Sequence, residues 1–297
     1  FSFNVTPTNN VNNGSARETS QLFGLPLEFQ LSATAQALSG YEISGGVAGR
    51  YRFTQDARHA QDITYLLNHR TYLLSEEAKA AAPGVKGSDF AFSQLALGYN
   101  YHRTPENWPG PFSLSLTGGN TWYAGNTYFS FLRVGGQQSF RFSDKTVLTL
   151  FGTAERQFGE QAPDVDRLNV TLRLNQQIGQ LGVLGLTVGN TTSISASDTG
   201  DFSEQRVGAD FRIGKPIAGI DVSFGLDWRG RDFVRSRFDP AGRRDNEVTG
   251  RVNLVFRQID RFGFNPTVTV QSSRTDSTIG LFDREKTGVQ IGIRSSF

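Results

Sequence analysis

Arginines and carboxylates recur at every second position of long alternating segments. The arginines are Arg50, Arg52, Arg133, Arg173, Arg206, Arg212, Arg229, Arg251 and Arg294, and the acids are Glu155, Asp210, Asp221 and Asp227. Groups of both signs on one face of a sheet can do two things. They can pair across strands, guanidinium fork to carboxylate, and so fill a polar wall. They can also line a conduit and set which solute or polypeptide passes. Small barrels are filled by their own side chains, which makes cross-strand pairing the plainer expectation. The two coexist if the network opens.

Other reactive groups are sparse. Cys is 0, which removes thiolate nucleophiles, thiolate zinc sites and disulfides. The three histidines, His59, His69 and His102, show no partner pattern for a triad and no clustered spacing for a metal. Neither a catalytic residue nor a cofactor is therefore expected. Asp198-Thr-Gly-Asp201 has the acids for Ca²⁺, but a solvated turn is the commoner use of that composition. No glycine-rich phosphate loop sits between a strand and a helix.

The elements that must carry these residues read as strands. Val248, Gly250, Val252, Leu254 and Phe256 alternate with Thr249, Arg251, Asn253 and Arg257. Leu168, Val170, Leu172 and Leu174 alternate in the same way with Arg167, Asn169, Thr171 and Arg173. A soluble sandwich would bury the apolar face, whereas a membrane barrel turns it to lipid and keeps a polar lumen. The alternating segments favour the barrel, because many run to about 12–16 residues where soluble strands average about 5–6.

Fourteen strands are predicted: about 2–8, 34–54, 61–74, 88–103, 111–122, 127–143, 145–158, 165–178, 181–193, 202–213, 217–231, 244–258, 264–275 and 285–297. The expected fold class is thus an all-β, 14-stranded antiparallel transmembrane β-barrel of the bacterial outer membrane, one domain over 1–297. Residues 9–33 form a long loop or plug, and 75–82 suit a short helix within a loop. Tight connections such as 142–146 and 178–181 fall at one end. Longer ones at 9–33, 75–87, 194–201, 232–243 and 276–284 fall at the other, with one short exception at 123–126. That asymmetry places both termini on the periplasmic side. Aromatic residues near strand ends, among them Tyr99, Tyr101, Trp108, Trp122, Phe262, Phe264 and Phe282, suit girdles at the lipid headgroups.

Composition agrees. The 297 residues carry a formal net charge of +2, which argues against a nucleic-acid partner. The hydrophobic fraction is 37% and the mean hydropathy −0.36. No apolar run approaches the roughly 20 residues of a transmembrane helix. The chain contains no Met and opens on Phe1, as a processed or excised product would, so a periplasmic repeat domain can precede residue 1. The final segment, with Val289, Ile291, Ile293 and a terminal Phe297, has the form of a barrel-assembly signal.

Several stretches resemble the C-terminal barrel of the surface lipoprotein assembly modifier (Slam) family. These are Pro7-Thr-Asn-Asn-Val-Asn-Asn-Gly14, Ala35-Gln-Ala-Leu-Ser-Gly-Tyr41, Gly49-Arg-Tyr-Arg-Phe53, Phe262-Gly-Phe264 with Pro266, Arg274 with Asp276-Ser277, and Leu281-Phe282-Asp283. Thr278 departs from the Asn of the family pattern. The resemblance implies an outer-membrane translocator that assists surface display or secretion of a lipoprotein or soluble client. The implied partners are that client, a periplasmic chaperone, the barrel insertion machinery and outer-membrane lipid, lipopolysaccharide included. A passive porin or an exopolysaccharide export channel is the alternative.

Overall fold

The computed structural model describes residues 1–23 and 27–295. The first strand is β1 (Ser2–Thr8), followed by a small hairpin of β2 (Thr19–Gln21) and β3 (Glu28–Gln30). The long strands are β4 (Gly40–Gln55), β5 (His59–Leu74), β6 (Phe92–Arg103), β7 (Phe112–Tyr123), β8 (Asn126–Ser143), β9 (Thr146–Gly159) and β10 (Val165–Ile178). They continue as β11 (Gly182–Ser195), β12 (Phe202–Ile213), β13 (Ile220–Phe233), β14 (Arg243–Phe256), β15 (Phe264–Ser277) and β16 (Arg284–Ser295). One α-helix, α1 (Glu76–Ala81), lies between β5 and β6. Strand β1 and strands β4 to β16 close antiparallel into a barrel of 14 strands.

The alternation explains the closure. On β10, Leu168 and Leu172 are 55% and 45% exposed and point outward, while Arg167, Asn169 and Arg173 face the lumen. The same apolar outer face runs through every barrel strand. An apolar surface of that extent is unfavourable in water and is the wall a barrel presents to lipid. Closure also leaves the backbone ladder with few free edges, as the hydrocarbon core demands.

Connections differ between the two ends. One end carries the turns 56–58, 104–111, 144–145, 179–181, 214–219 and 257–263. The other carries the loops 9–39, 75–91, 160–164, 196–201, 234–242 and 278–283, with a two-residue turn at 124–125. That turn is tight because Ala124 and Gly125 take φ of 50° and 84°, the left-handed pair that suits the twist of a hairpin.

The largest departure from the sequence reading lies before β4, which starts at Gly40 rather than at 34. Residues 9–39 form a cap at the loop end. Val11 and Leu38 pack with Tyr72, Leu74, Ala78 and Ala82 in the main cluster of buried apolar side chains. Apolar residues here serve that small core instead of lipid, so their spacing mimicked a strand. Helix α1 belongs to the same core and begins at Ser75, whose side chain accepts from the Ala78 N–H. Residues 88–91 also leave the predicted strand, since a 3₁₀ turn spans Gly87–Phe90.

Asparagines tie the cap down. The wholly buried Asn10 donates to the Gly14 and Glu285 carbonyls and accepts from the Gly14 N–H. Asn12 donates to the Gln36 carbonyl at 2.7 Å and accepts from the Leu38 N–H at 2.9 Å. The Asn9 side chain accepts from the Thr287 N–H. Farther along, Arg17 pairs with Asp283, and Phe23 packs on Phe238. The cap therefore runs from the inner face of β5 to the loops before β16 and β14, across part of the mouth.

Candidate functional site in the lumen

Most lumenal charges are paired across strands. Glu155 accepts from Arg133 Nε and Gln157 Nε2, both at 2.6 Å, with Arg167 at 3.9 Å. Arg173 Nη2 lies 2.7 and 3.0 Å from the two oxygens of Asp210. Arg206 donates to Asp227 at 2.6 and 2.9 Å. Arg229 sits between Glu204 and Glu247, 3.5 and 3.7 Å away, and Glu204 also takes Arg231. Arg257 pairs with Asp221. The more exposed of these pairs, such as Arg173–Asp210 and Arg206–Asp227, contribute only about 0–1 kcal/mol each. Their stronger effect is geometric, because paired side chains hold a fixed wall.

Asp62 differs. Its side chain is 0% exposed and gathers four neighbours: Asn100 Nδ2 at 2.9 Å, His102 Nε2 at 3.1 Å, Arg52 at 3.4 Å and Arg50 at 3.7 Å. A carboxylate only accepts, so the His102 Nε2 carries the proton in that contact. Arg243 lies at the loop end. Its guanidinium lies 3.9 Å from the Phe233 ring centre and 3.7 Å from that of Phe282, with Asp245 at 3.0 Å.

The rest of the lumen is open. A cavity of about 1630 Å³ runs from the turn end, at Arg212, Asp221 and Arg257, up to Glu42 and Arg70 beneath the cap. Ser44, Asn68, Ser223, Asn253 and Thr269 supply hydroxyl and amide groups along it. Arg251 and Arg294 line it as well.

The arginines and acids singled out by alternation thus separate into two sets. Arg50, Arg52, Arg173, Arg206, Asp210, Asp221, Asp227 and Arg229 belong to the paired wall. Arg212, Arg251 and Arg294 make no ion pair among the described residues and face the cavity. Asp62, Glu204, Arg70 and Arg243 were not singled out. Asp62 and Glu204 do sit in phase with neighbouring arginines, which is the one signal that marks them. Val289, Ile291 and Ile293 line the outer face of β16 at 38%, 59% and 38% exposure. Phe297 lies outside the described residues. Phe282, expected in a girdle, stacks on Arg243 instead.

The histidines acquire partners that spacing did not reveal. His102 meets Asp62 in the lumen. His69 Nδ1 lies 2.8 Å from Ser93 Oγ on the adjacent strand, with no carboxylate on the ring among the described residues. Ser93 sits within the ladders to β5 and β7, so its backbone offers no paired donors for an oxyanion. Asp201 accepts from the Ser195 N–H at 2.6 Å and Asp198 pairs with Arg235 at 2.6 Å, which gives both acids of that loop a structural use.

No family model and no curated protein sequence matches the chain. Among solved structures, OccAB2 of Acinetobacter baumannii aligns at a TM-score of 0.49 with 7% identity, over 98% of this chain and 96% of that one. OpdQ of Pseudomonas aeruginosa gives a TM-score of 0.46 and 9% identity, over 98% and 95%. A BenF-like porin from Pseudomonas fluorescens Pf-5 gives 0.44 and 8%, over 99% and 97%.

Proposed function

We propose that this barrel is an outer-membrane channel that passes polar solutes through its lumen. The longer loops and the cap face outward, and the turns and both termini face the periplasm. One observation carries the reading: the lumen holds a polar cavity of about 1630 Å³ rather than a continuous packing of side chains. Side chains filling the barrel from end to end would leave no such space. The salt-bridged wall keeps the path wide, and the cap restricts it at one mouth. Purified protein in a planar lipid bilayer should show discrete ion-conducting steps. A barrel that inserts and stays silent would overturn this reading.

A translocator for a lipoprotein or secreted client is the second reading. It is supported by the resemblance to the Slam barrel and by the asparagine-rich opening, whose residues hold the cap in place. Its partners would be the client, a periplasmic chaperone, the barrel insertion machinery and outer-membrane lipid. Comparing surface and secreted proteins of cells with and without the chain tests it. One or two proteins lost from outside and retained in the periplasm would favour this reading over a solute channel. An unchanged surface inventory with reduced solute permeability would decide for the channel.

A further inference from the structure

The wall of the cavity is unbalanced in charge. Arg70, Arg212, Arg251, Arg257 and Arg294 line it, against Glu42, Asp221 and Asp260. Two of those acids are engaged by other cations, Asp221 by Arg257 and Glu42 by Lys286 at 3.7 Å. Arg70, Arg212, Arg251 and Arg294 make no ion pair among the described residues. They come from β5, β12, β14 and β16, and so approach the cavity from separate parts of the wall.

Arg70 is held in a particular way. Its guanidinium lies 5.9 Å from the Tyr72 ring centre and 5.5 Å from that of Phe92. Its buried Nε has no hydrogen-bond partner among the described residues. Aromatic faces fix a guanidinium without neutralising it, so the group keeps its charge and its donors for something else. The contrast with the paired wall is chemical. There the guanidiniums lie within ion-pair distance of protein carboxylates, whereas Arg212, Arg251 and Arg294 have no such partner among the described residues and are exposed to water.

We propose that this cavity is a binding vestibule for small solutes carrying two or more carboxylate or phosphate groups. Paired oxygens of a carboxylate or phosphate match the guanidinium fork, and several separated forks favour a multiply charged ligand over a single charge. A lining in which arginines outnumber acids, set within low-dielectric walls, also concentrates anions from the adjoining water. The lining of the vestibule reaches Arg212, Asp221 and Arg257 at the turn end and Glu42 and Arg70 toward the cap. This inference rests on the channel reading for its role in transport, but not for the binding itself.

Two measurements on the full chain separate the claims. In planar bilayers under a KCl gradient, the reversal potential should give a chloride-over-potassium preference of about threefold for the wild type. The triple variant Arg212→Gln, Arg251→Gln, Arg294→Gln should bring that ratio close to one, and the corresponding Arg→Lys triple should retain it. Independently, calorimetric titration of the detergent-solubilised barrel with citrate, and separately with inorganic tripolyphosphate, should show saturable binding. The glutamine triple should weaken it at least about tenfold, and sucrose should show none. Conductance without anion preference, together with no saturable citrate or tripolyphosphate binding, overturns the vestibule and leaves the channel standing. A silent wild-type barrel overturns the channel, and the titrations alone then decide the vestibule. The lysine triple guards against misfolding, because a loss shared by both triples counts against a charge effect.

Discussion

Asp62 gathers two arginines, a histidine and an asparagine on a carboxylate that sees no solvent. Removing it as Asp62→Ala takes the carboxylate acceptor from His102 and leaves Asn100 only its longer bond to Thr64, while Arg50 and Arg52, being partly exposed, turn to water. The expected loss is about 1–3 kcal/mol of unfolding free energy, the cost of breaking buried hydrogen bonds rather than of isolating a buried charge. Asp62→Asn keeps an acceptor and should lose less. Urea titration in lipid vesicles checks both, and an alanine variant as stable as the wild type would remove Asp62 from this role. At the turn end, Asp56 accepts from the Arg58 and His59 backbone N–H groups, both at 2.8 Å. The Arg58 contact is the main reason its carboxyl is held below the usual 3.8. A lowered folded value means that the stabilisation is complete above the unfolded value. It is lost as pH falls through the folded one. Amide exchange at Arg58 and His59 should therefore stay slow on acidification past the ordinary carboxylate range, and quicken only below it. The Asp56→Asn variant should lose that acid transition. The lumenal arginines were legible because period-two alternation fixes which face a residue takes. Their partners were not, since Arg229 finds Glu204 and Glu247 on two neighbouring strands and that choice depends on register.

Strands carry the next level of constraint. Gly49 on β4 lies directly opposite Tyr65 on β5, and a Cβ at position 49 would overlap the Tyr65 ring. The ring covers the backbone that the glycine leaves bare, an arrangement that offsets the usual weakness of glycine in a strand. Gly49→Val raises β propensity, so intrinsic preference alone predicts stabilisation. The steric argument predicts the opposite, a loss of about 1–3 kcal/mol as Tyr65 is displaced. Adding Tyr65→Ala should recover part of that loss, and a double-mutant cycle on unfolding free energies measures the coupling. Additive effects would show that the ring and the glycine act independently. Most strands were legible to within three residues from alternation alone. The segment 34–39 was not, because Leu38 and its neighbours have an apolar target other than lipid. Periodicity reports that a side chain is buried on one side, and it does not say against what.

The barrel and the cap are held by different forces, which makes them separable. The wall is a continuous hydrogen-bonded ladder of 14 strands with its apolar face outward. The cap relies on a small core and a few asparagine ties, with Val11 and Leu38 only 1% and 3% exposed. Opening the cap therefore costs far less than opening the wall, as expected where local stability follows buried contacts. Val11→Asp places a carboxylate in that core with no cation beside it among its packing neighbours Leu38, Tyr72, Leu74 and Ala78. The cap should leave its seat while the ladder persists. The variant should keep the heat-sensitive electrophoretic mobility of a folded barrel and its β-type circular dichroism. Its single-channel conductance should rise by about twofold, with longer open times, since an obstruction at one mouth limits a path in series with the cavity. An unchanged conductance in a folded Val11→Asp barrel would mean that ions bypass the cap and that the restriction lies elsewhere at the loop end, where Arg243 stacks between Phe233 and Phe282. Arg243→Ala then becomes the informative change, because it removes the guanidinium stacked between Phe233 and Phe282. A rise in conductance there, without one in Val11→Asp, would move the gate from the cap to the wall itself.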